Sequence, residues 1–164
     1  MIVVTGAPRS GTSMMMRCLE KAGIPMAFEE LERPEDATEK FSNPYGFYEG
    51  TWNGEDGAIK VFSFMKLKEL PNPKFIFMER DINKILASWK DVEGYTARPS
   101  KKVILSNKMR IYNYILEFPY IIVNYDTFVK DSASYKDKFY EIFGDTIDFK
   151  KLTKGINKKL HTKR

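Results

Sequence analysis

The sequence predicts a three-layer α/β/α fold, in which helices cover both faces of a central parallel sheet of four or five strands. Short β-branched and aromatic runs alternate with helical segments along the 164 residues, as in folds built from strand–helix–strand units. Three of the strand runs are apolar without interruption, which is typical of strands that are buried on both faces. A glycine-rich turn joins the first strand to the first helix. In such sheets, ligands bind at the carboxyl ends of the strands.

The first elements are a strand, a helix and a long loop. The β-branched run at residues 2–5 ends at Gly6 and predicts the first strand. Apolar side chains recur on one face over residues 13–22, and Gly23 ends this predicted helix. Residues 29–57 show no period and contain several prolines and glycines. They predict a long loop with short pieces of structure, placed on the substrate side.

The middle of the chain predicts two further strands, each followed by a helix. Residues 59–62 are the second strand, and a short helix follows and ends at Leu70. The run at residues 74–79 is the clearest strand in the chain. Asp81 is a suitable N-cap for a helix that ends near Val92.

The last predicted elements complete the alternation of strands and helices. Residues 101–117 predict a longer helix, and the apolar run at residues 120–123 predicts the fourth strand. Residues 132–143 predict a final helix, which Gly144 ends. A chain of this length is about one domain, so we expect a single domain over residues 1–164.

The net charge of +5 is concentrated at the C-terminal end. Residues 150–164 carry seven basic side chains and no acid, whereas residues 1–149 carry 20 basic against 22 acidic side chains. This pattern predicts a basic tail on a slightly acidic body. A module that binds nucleic acid or another polyanion through this tail is one alternative function, but it leaves the motifs described below unexplained.

Cysteine content and hydropathy indicate the cellular compartment of the protein and whether it crosses a membrane. The single cysteine, Cys18, excludes an internal disulfide framework and favours a reducing, cytoplasmic compartment. No apolar run reaches the roughly 18 residues of a transmembrane helix, so we expect no membrane span. The first residues show neither the basic nor the long apolar segment of a signal peptide.

The turn after the first strand has the composition of a phosphate-binding loop. Residues 6–13 read GAPRSGTS, with the GxxxxG spacing of a Walker A loop between a strand and a helix. The glycines let successive N–H groups point inward, and the helix dipole adds positive charge at the same point. The lysine that ATP-binding loops carry after the second glycine is replaced by Thr12, and the nearest cation is Arg9. A plain strand–helix turn is the alternative interpretation.

Four segments resemble the sulfotransferases that use 3′-phosphoadenylyl sulfate (PAPS) as donor. Residues 5–13 look like that family's loop for the 5′-phosphosulfate. Arg80, at the end of a strand, and Ser88, in the following helix, are similar to its 3′-phosphate site. Residues 43–49, NPYGFYE, resemble a stretch seen in bacterial-type members, and residues 123–128 resemble a segment after a later strand. The segments occur in family order and cover most of the chain.

The resemblance implies the donor PAPS, the product PAP, no metal, and a small nucleotide rather than a nucleic acid as partner. It leaves the acceptor open as a carbohydrate, a small molecule or a peptide. The 3′-phosphate would be bound by Arg80 and Ser88, although Ile82 replaces the usual proline after Arg-Asp. The 5′-phosphosulfate would be bound by the turn residues Ala7, Pro8, Arg9, Ser10, Gly11, Thr12 and Ser13.

The same resemblance assigns the catalytic groups. Residues 59–62 are similar to the family's second-strand segment, whose lysine is catalytic, so Arg9 and Lys60 are expected to stabilise the bridging oxygen as the nucleotide leaves. The family's histidine base has Phe62 at its position, and a phenyl ring cannot take a proton. Other members use a glutamate, and Glu49 is our candidate base.

Several alternatives remain at this point. For Arg80 the alternative is an ion pair with Glu79 or Asp81, and for Lys60 it is an exposed cation at a strand end. For the base the alternatives are two other acids of the loop, Glu55 and Asp56. For the chain as a whole they are a nucleotide-binding P-loop protein or kinase, and a degenerate sulfotransferase fold that binds PAP or PAPS without turnover. Aromatic side chains in the loop suit an acceptor pocket or a small loop core: Phe41, Tyr45, Phe47, Tyr48 and Trp52.

Overall fold

The computed structural model describes residues 1–30, 50–90 and 99–156. The strands in these ranges are β1 (Ile2–Gly6), β2 (Phe28–Glu30), β3 (Gly50–Trp52), β4 (Ala58–Lys60), β5 (Lys74–Glu79) and β6 (Tyr120–Asn124). The α-helices are α1 (Thr12–Lys21), α2 (Phe64–Leu67), α3 (Ile82–Lys90), α4 (Lys101–Ile115), α5 (Tyr125–Lys130), α6 (Lys136–Phe143) and α7 (Phe149–Leu152). Short 3-10 helices cover Ser132–Tyr135, Gly144–Thr146 and Thr153–Gly155.

A four-stranded parallel sheet forms the centre of the molecule. Its strand order is β4-β1-β5-β6, and all three pairings are parallel. From β1 the chain first adds β4 on one side and then adds β5 on the other side. The direction of winding therefore reverses between β1 and β5, which opens a crevice at the carboxyl ends of these strands.

Helices cover both faces of the sheet, which confirms the predicted three-layer α/β/α fold. On one face, Val4 and Met78 pack against α1 and the C-terminal helices. On the other face, Phe75 and Phe77 pack with α2 and α4. The three consecutive methionines at the start of α1 are fully buried on the first face. No helix in the described ranges has both the length and the apolar character needed to cross a bilayer.

The long loop predicted over residues 29–57 begins and ends in paired strands. β2 and β3 form a two-stranded antiparallel sheet in which Phe28 lies opposite Trp52. The segment between them, residues 31–49, lies outside the described residues, as does the predicted end of the third helix near Val92.

The basic tail predicted over residues 150–164 does not begin at Lys150. Phe149 and Leu152 of α7 are buried, and Asp148 caps this helix by accepting a hydrogen bond from Lys151 N. The backbone of Gly155 packs directly against Cys18 of α1. The first part of this segment is therefore helical and packed, because its apolar spacing and its cap favour a helix. Residues 157–164 lie outside the described residues.

Candidate anion-binding site

The turn between β1 and α1 is a tight loop that depends on glycine. Gly6 has φ +138° and Arg9 has φ +72°, and Ser10 N donates to Ala7 O at 3.1 Å to close the loop. A Cβ atom on Gly6 would lie 2.4 Å from the carbonyl oxygen of Met78. The turn therefore packs directly on the end of β5, and a side chain at position 6 would push it away.

The N-terminus of α1 opens towards this crevice. Its N-cap, Gly11, has φ +101° and has no side chain to cap the helix. The first N–H groups of an α-helix have no partner within the helix and carry the positive end of its dipole. Thr12 is buried at the first helical position, and Ser13 is half-buried beside it. The predicted strand–turn–helix context of an anion cradle is therefore present.

Four side chains form what we call the arginine cluster: Arg9, Arg80, Ser88 and Tyr125. Arg80 Nη1 donates to Arg9 O at 3.2 Å, and its guanidinium carbon lies 4.5 Å from the centroid of the Tyr125 ring. Arg9 Nε donates to Ser88 Oγ at 3.2 Å, and Ser88 Oγ donates to Ile85 O at 3.1 Å. The cluster thus joins the turn to the residues that follow β5 and β6.

The two acids beside Arg80 are engaged elsewhere. Glu79 Oε1 pairs with Lys108 Nζ at 2.6 Å. Asp81 Oδ1 accepts from the backbone N–H groups of Asn83 and Lys84 and caps α3, as its sequence position predicts. Arg80 is instead directed at the turn.

Arg80 retains an unsatisfied donor. Among the described residues, its buried Nε atom has no hydrogen-bond partner. Buried polar groups in native proteins are nearly always hydrogen-bonded, and leaving one unpaired costs on the order of 1–3 kcal/mol. A buried donor on a cation, next to a glycine turn, suits an anion that is bound from outside the chain.

A second group, the lysine pair, consists of Lys60 and Ser13. Lys60 ends β4 and is only 6% exposed, so it is not an exposed cation at a strand end. Its Nζ donates to Ser13 Oγ at 3.2 Å and lies 5.4 Å from the centroid of the Phe62 ring. A neighbouring strand therefore brings a cation to the first turn of α1, where the sequence has Thr12 instead of the Walker lysine.

The remaining predicted turn residues also lie at this edge of the sheet. Ala7 is buried against α3 and α4, and Pro8 is half-buried. Ser10 is fully buried, and its Oγ lacks a hydrogen-bond partner within the described ranges, as does Oγ1 of Thr5. Two features of this edge were not predicted: the buried hydroxyl of Thr5, and the Tyr125 ring that lies under Arg80. For Tyr125 the available signal was its position directly after a strand.

The candidate base, Glu49, lies outside the described residues, as do the loop aromatics at positions 41, 45, 47 and 48. Trp52 is described, and its Nε1 donates to the carbonyl oxygen of Glu55 at 2.9 Å. Asp56 pairs with the N-terminal ammonium of Met1 at 2.8 Å, and this hydrogen bond holds the pKa of Asp56 below its ordinary value. A carboxylate held in this way is a poor proton acceptor, which weakens Asp56 as an alternative base.

No protein-family model and no curated protein matches this chain. The features of the chain that bear on its function are the arginine cluster and the lysine pair at the turn. Both groups touch the same turn, and they bring three cations from different parts of the chain to one edge of the sheet. Such an arrangement fits a small ligand that carries more than one negative group.

Proposed function

We propose that the chain is a sulfotransferase that transfers the sulfuryl group of PAPS to a hydroxyl or amine of an acceptor. The observation that carries the proposal is the pair of cationic groups on one glycine turn, with the buried Arg80 Nε left without a partner. PAPS has two separate anionic ends, a 5′-phosphosulfate and a 3′-phosphate. A site for it needs two anion-binding positions, and the two groups meet that need.

The two ends of the donor match different residues. The 5′-phosphosulfate would be bound by the N–H groups at the start of α1 and by the hydroxyls of Thr12 and Ser13. The 3′-phosphate would accept hydrogen bonds from Arg80, including one from its buried Nε. Ser88 already donates to Ile85 O, so its contribution here is to position Arg9.

The proposed reaction is an in-line displacement at sulfur. The acceptor oxygen or nitrogen forms a new bond to sulfur, and the bond from sulfur to the bridging phosphate oxygen breaks. PAP leaves with the bonding electrons, while the acceptor's proton passes to a base, for which Glu49 remains the candidate. Arg9 and Lys60 would neutralise the charge that grows on the bridging oxygen. By analogy with phosphoryl transfer, positioning and charge stabilisation supply most of the rate.

A second candidate is a nucleotide-binding P-loop protein, either a kinase or a sulfotransferase-like fold without turnover. The observation that favours it is the position of Lys60, which brings a cation to the first turn of α1 as the Walker lysine does in ATP-binding loops. Phe62, beside that amine, also leaves the site without the histidine base. The two candidates differ in the nucleotide that they prefer.

Ligand-induced thermal stabilisation separates these candidates. We expect PAP to raise the unfolding temperature more than ADP or ATP at equal concentration. A ligand at 100 times its dissociation constant stabilises the fold by about 2.7 kcal/mol. Arg80→Ala should abolish the preference for PAP. Arg110→Ala, which removes an exposed arginine on α4, is the matched control and should keep it.

Two results would overturn the proposal. Equal or greater stabilisation by ATP would favour the kinase alternative. A preference for PAP without transfer of labelled sulfate from PAPS, tested across carbohydrate, phenol, amine and peptide acceptors, would leave a binding protein without turnover.

A further inference from the structure

The outer surface of α4 carries an unusual amount of exposed apolar side chain. Val103 is 58% exposed, Leu105 39%, Met109 54% and Leu116, the C-cap residue, 46%. Leu105 and Met109 are one helical turn apart, and Leu116 is two turns beyond Met109, so these three side chains share one stripe. The opposite side of the helix is buried against the sheet through Ile111 and its neighbours. The stripe is therefore not needed for the core.

Cations flank this stripe, and the nearest acid along the helix is the exposed Glu117, which follows Leu116. Lys101, Lys102 and Arg110 are exposed, and residues 100–116 contain no aspartate or glutamate. An open groove of about 570 Å³ is lined by Lys101, Lys102, Leu105, Ser106 and Met109. A helix with an apolar stripe and basic flanks is typical of segments that lie on membranes or bind amphipathic partners.

The neighbouring helix α2 extends the same surface. Met65 is 66% exposed, the largest value among the exposed large apolar side chains of the described residues, and the exposed Lys66 and Lys68 lie beside it. The guanidinium of Arg110 and the amine of Lys68 both approach the ring of Phe64, at 5.8 and 4.8 Å. Phe64 thus joins α2 to the Arg110 side of α4, while the exposed Ser106 and Asn113 lie between Arg110 and the apolar stripe. We call the exposed side chains of these two helices together the α2–α4 face.

We propose that the α2–α4 face docks on an anionic lipid membrane. The inference does not depend on the proposed sulfotransferase activity. Four of the five exposed cations on this face are lysines, which are depleted at protein–protein interfaces but can keep their amines at lipid headgroups while their stems cover apolar surface. A two-fold pairing of this face with a second copy would oppose cations to cations and is disfavoured.

The dimensions of the face suit this role. α4 has 15 residues and is therefore about 22 Å long, enough to lie along the bilayer surface with its stripe among the headgroups and upper acyl chains. Ile104, next to Leu105 in the helix, packs against Ala7 of the turn. Docking through α4 would therefore bring the edge of the sheet that carries the candidate site close to the lipid surface.

Vesicle co-sedimentation of the full chain tests the proposal. We expect binding to vesicles of phosphatidylcholine with about 30% phosphatidylserine, weaker binding at higher salt, and little binding to pure phosphatidylcholine. The charge variant, Lys101→Ala with Lys102→Ala, should weaken binding about 30-fold, because each cation near an anionic surface contributes about fivefold. The apolar variant, Leu105→Ser with Met109→Ser, should weaken it to a similar extent.

A matched control uses a different exposed helix. On α6, Lys136 lies over the exposed ring of Tyr140. Lys136→Ala with Tyr140→Ser removes one cation and one apolar group and should leave vesicle binding unchanged. All substituted side chains are exposed, so each variant should keep the wild-type unfolding temperature.

Three outcomes would overturn the proposal: no binding to the anionic vesicles, equal binding to neutral vesicles, and unchanged binding by both α4 variants. A wild-type chain that is dimeric in light scattering, together with a monomeric apolar variant, would show instead that this face joins two copies. The charge and apolar variants give independent readings, so a failure of one to fold leaves the other decisive.

Discussion

The arginine cluster and the lysine pair bring cations to the same turn, but the structure holds them in different ways. Arg80 is fixed by two contacts, a hydrogen bond to Arg9 O and the face of the Tyr125 ring. Lys60 is a single amine on a flexible stem, and it bonds the hydroxyl of Ser13. One cation is therefore a rigid planar group, and the other is a point charge whose three donors can rotate.

This difference suggests a division of roles between the two cations, Arg80 and Lys60, within the proposed function. A rigid guanidinium suits a charge that is present throughout the reaction, such as a 3′-phosphate that donor and product share. A lysine amine suits a charge that grows only as the bond to sulfur breaks. Interactions with the first kind of charge affect binding, whereas interactions with the second affect turnover.

Replacing the lysine should have the largest effect. Lys60→Met keeps most of the buried volume but removes the charge beside the turn. We expect the rate of sulfate transfer to fall by about 10²–10³-fold, as when a group that stabilises developing charge is removed. The affinity for PAP should change by less than about tenfold, because the 3′-phosphate contacts remain. Single-turnover kinetics and PAP titration measure the two quantities, and an equal loss in both would contradict the division.

A side chain at Gly11 should disrupt the arginine cluster through Tyr125. A Cβ at this position would lie 2.1 Å from Cδ2 of the Tyr125 ring, and the backbone has φ +101°. Gly11→Ala should therefore lower the free energy of unfolding by about 3 kcal/mol, measured by denaturant unfolding. Gly54→Ala is the control, because Gly54 has φ +88° and open space around it. It should cost about 1 kcal/mol, from backbone strain alone.

Keeping the charge but losing the planar group tests the rigidity of the arginine cluster. Arg80→Lys keeps one cation, but a lysine amine lacks the rigid planar set of donors with which a guanidinium can bond Arg9 O and a phosphate at the same time. We expect PAP affinity to fall by about tenfold, or roughly 1.4 kcal/mol, with the transfer rate at saturating donor nearly unchanged. Isothermal titration with PAP measures the first quantity. An unchanged affinity would show that Arg80 acts only as a point charge.

The smallest effect is expected at Ser88. Its hydroxyl accepts from Arg9 Nε and donates to Ile85 O inside a buried contact. Ser88→Ala leaves the Arg9 side chain less fixed and should cost about 1 kcal/mol of stability, with a fall in the transfer rate of less than about tenfold. Ser106→Ala on the exposed side of α4 should change neither quantity. A larger loss of PAP affinity than in Arg80→Lys would mean that Ser88 contacts the ligand itself.

The parts of the fold that were predicted correctly are those whose signals are local. The apolar run of β1, the glycines of the turn and the cap at Asp81 each lie within a few neighbouring residues, and the structure confirms these elements. Their order along the chain was enough to predict a parallel sheet. It also placed the turn and Arg80 each at the carboxyl end of a predicted strand, where ligands bind in such sheets.

What the sequence did not reveal depends on contacts between distant segments. The pairing of β2 with β3 joins residues on either side of a long intervening segment, and no local pattern specifies it. The contact of Tyr125 with Arg80 and Gly11 arises only when three elements meet. α5 was missed although Asn124 accepts a hydrogen bond from Thr127 N, which is an ordinary capping signal after a strand.

The contact between Gly155 and α1 has a consequence for the order of folding. A Cβ on Gly155 would lie 2.5 Å from the Cα of Cys18, so the two backbones touch although they come from opposite ends of the described chain. During synthesis, α1 is made well before residues 153–155, so the segment that packs against Cys18 is added to an α1 that has already emerged. Burial raises the pKa of the Cys18 thiol to about 12 in the folded chain. A thiol reagent will therefore label nascent chains that have not yet acquired residues 153–155 and spare those in which this segment has packed against α1.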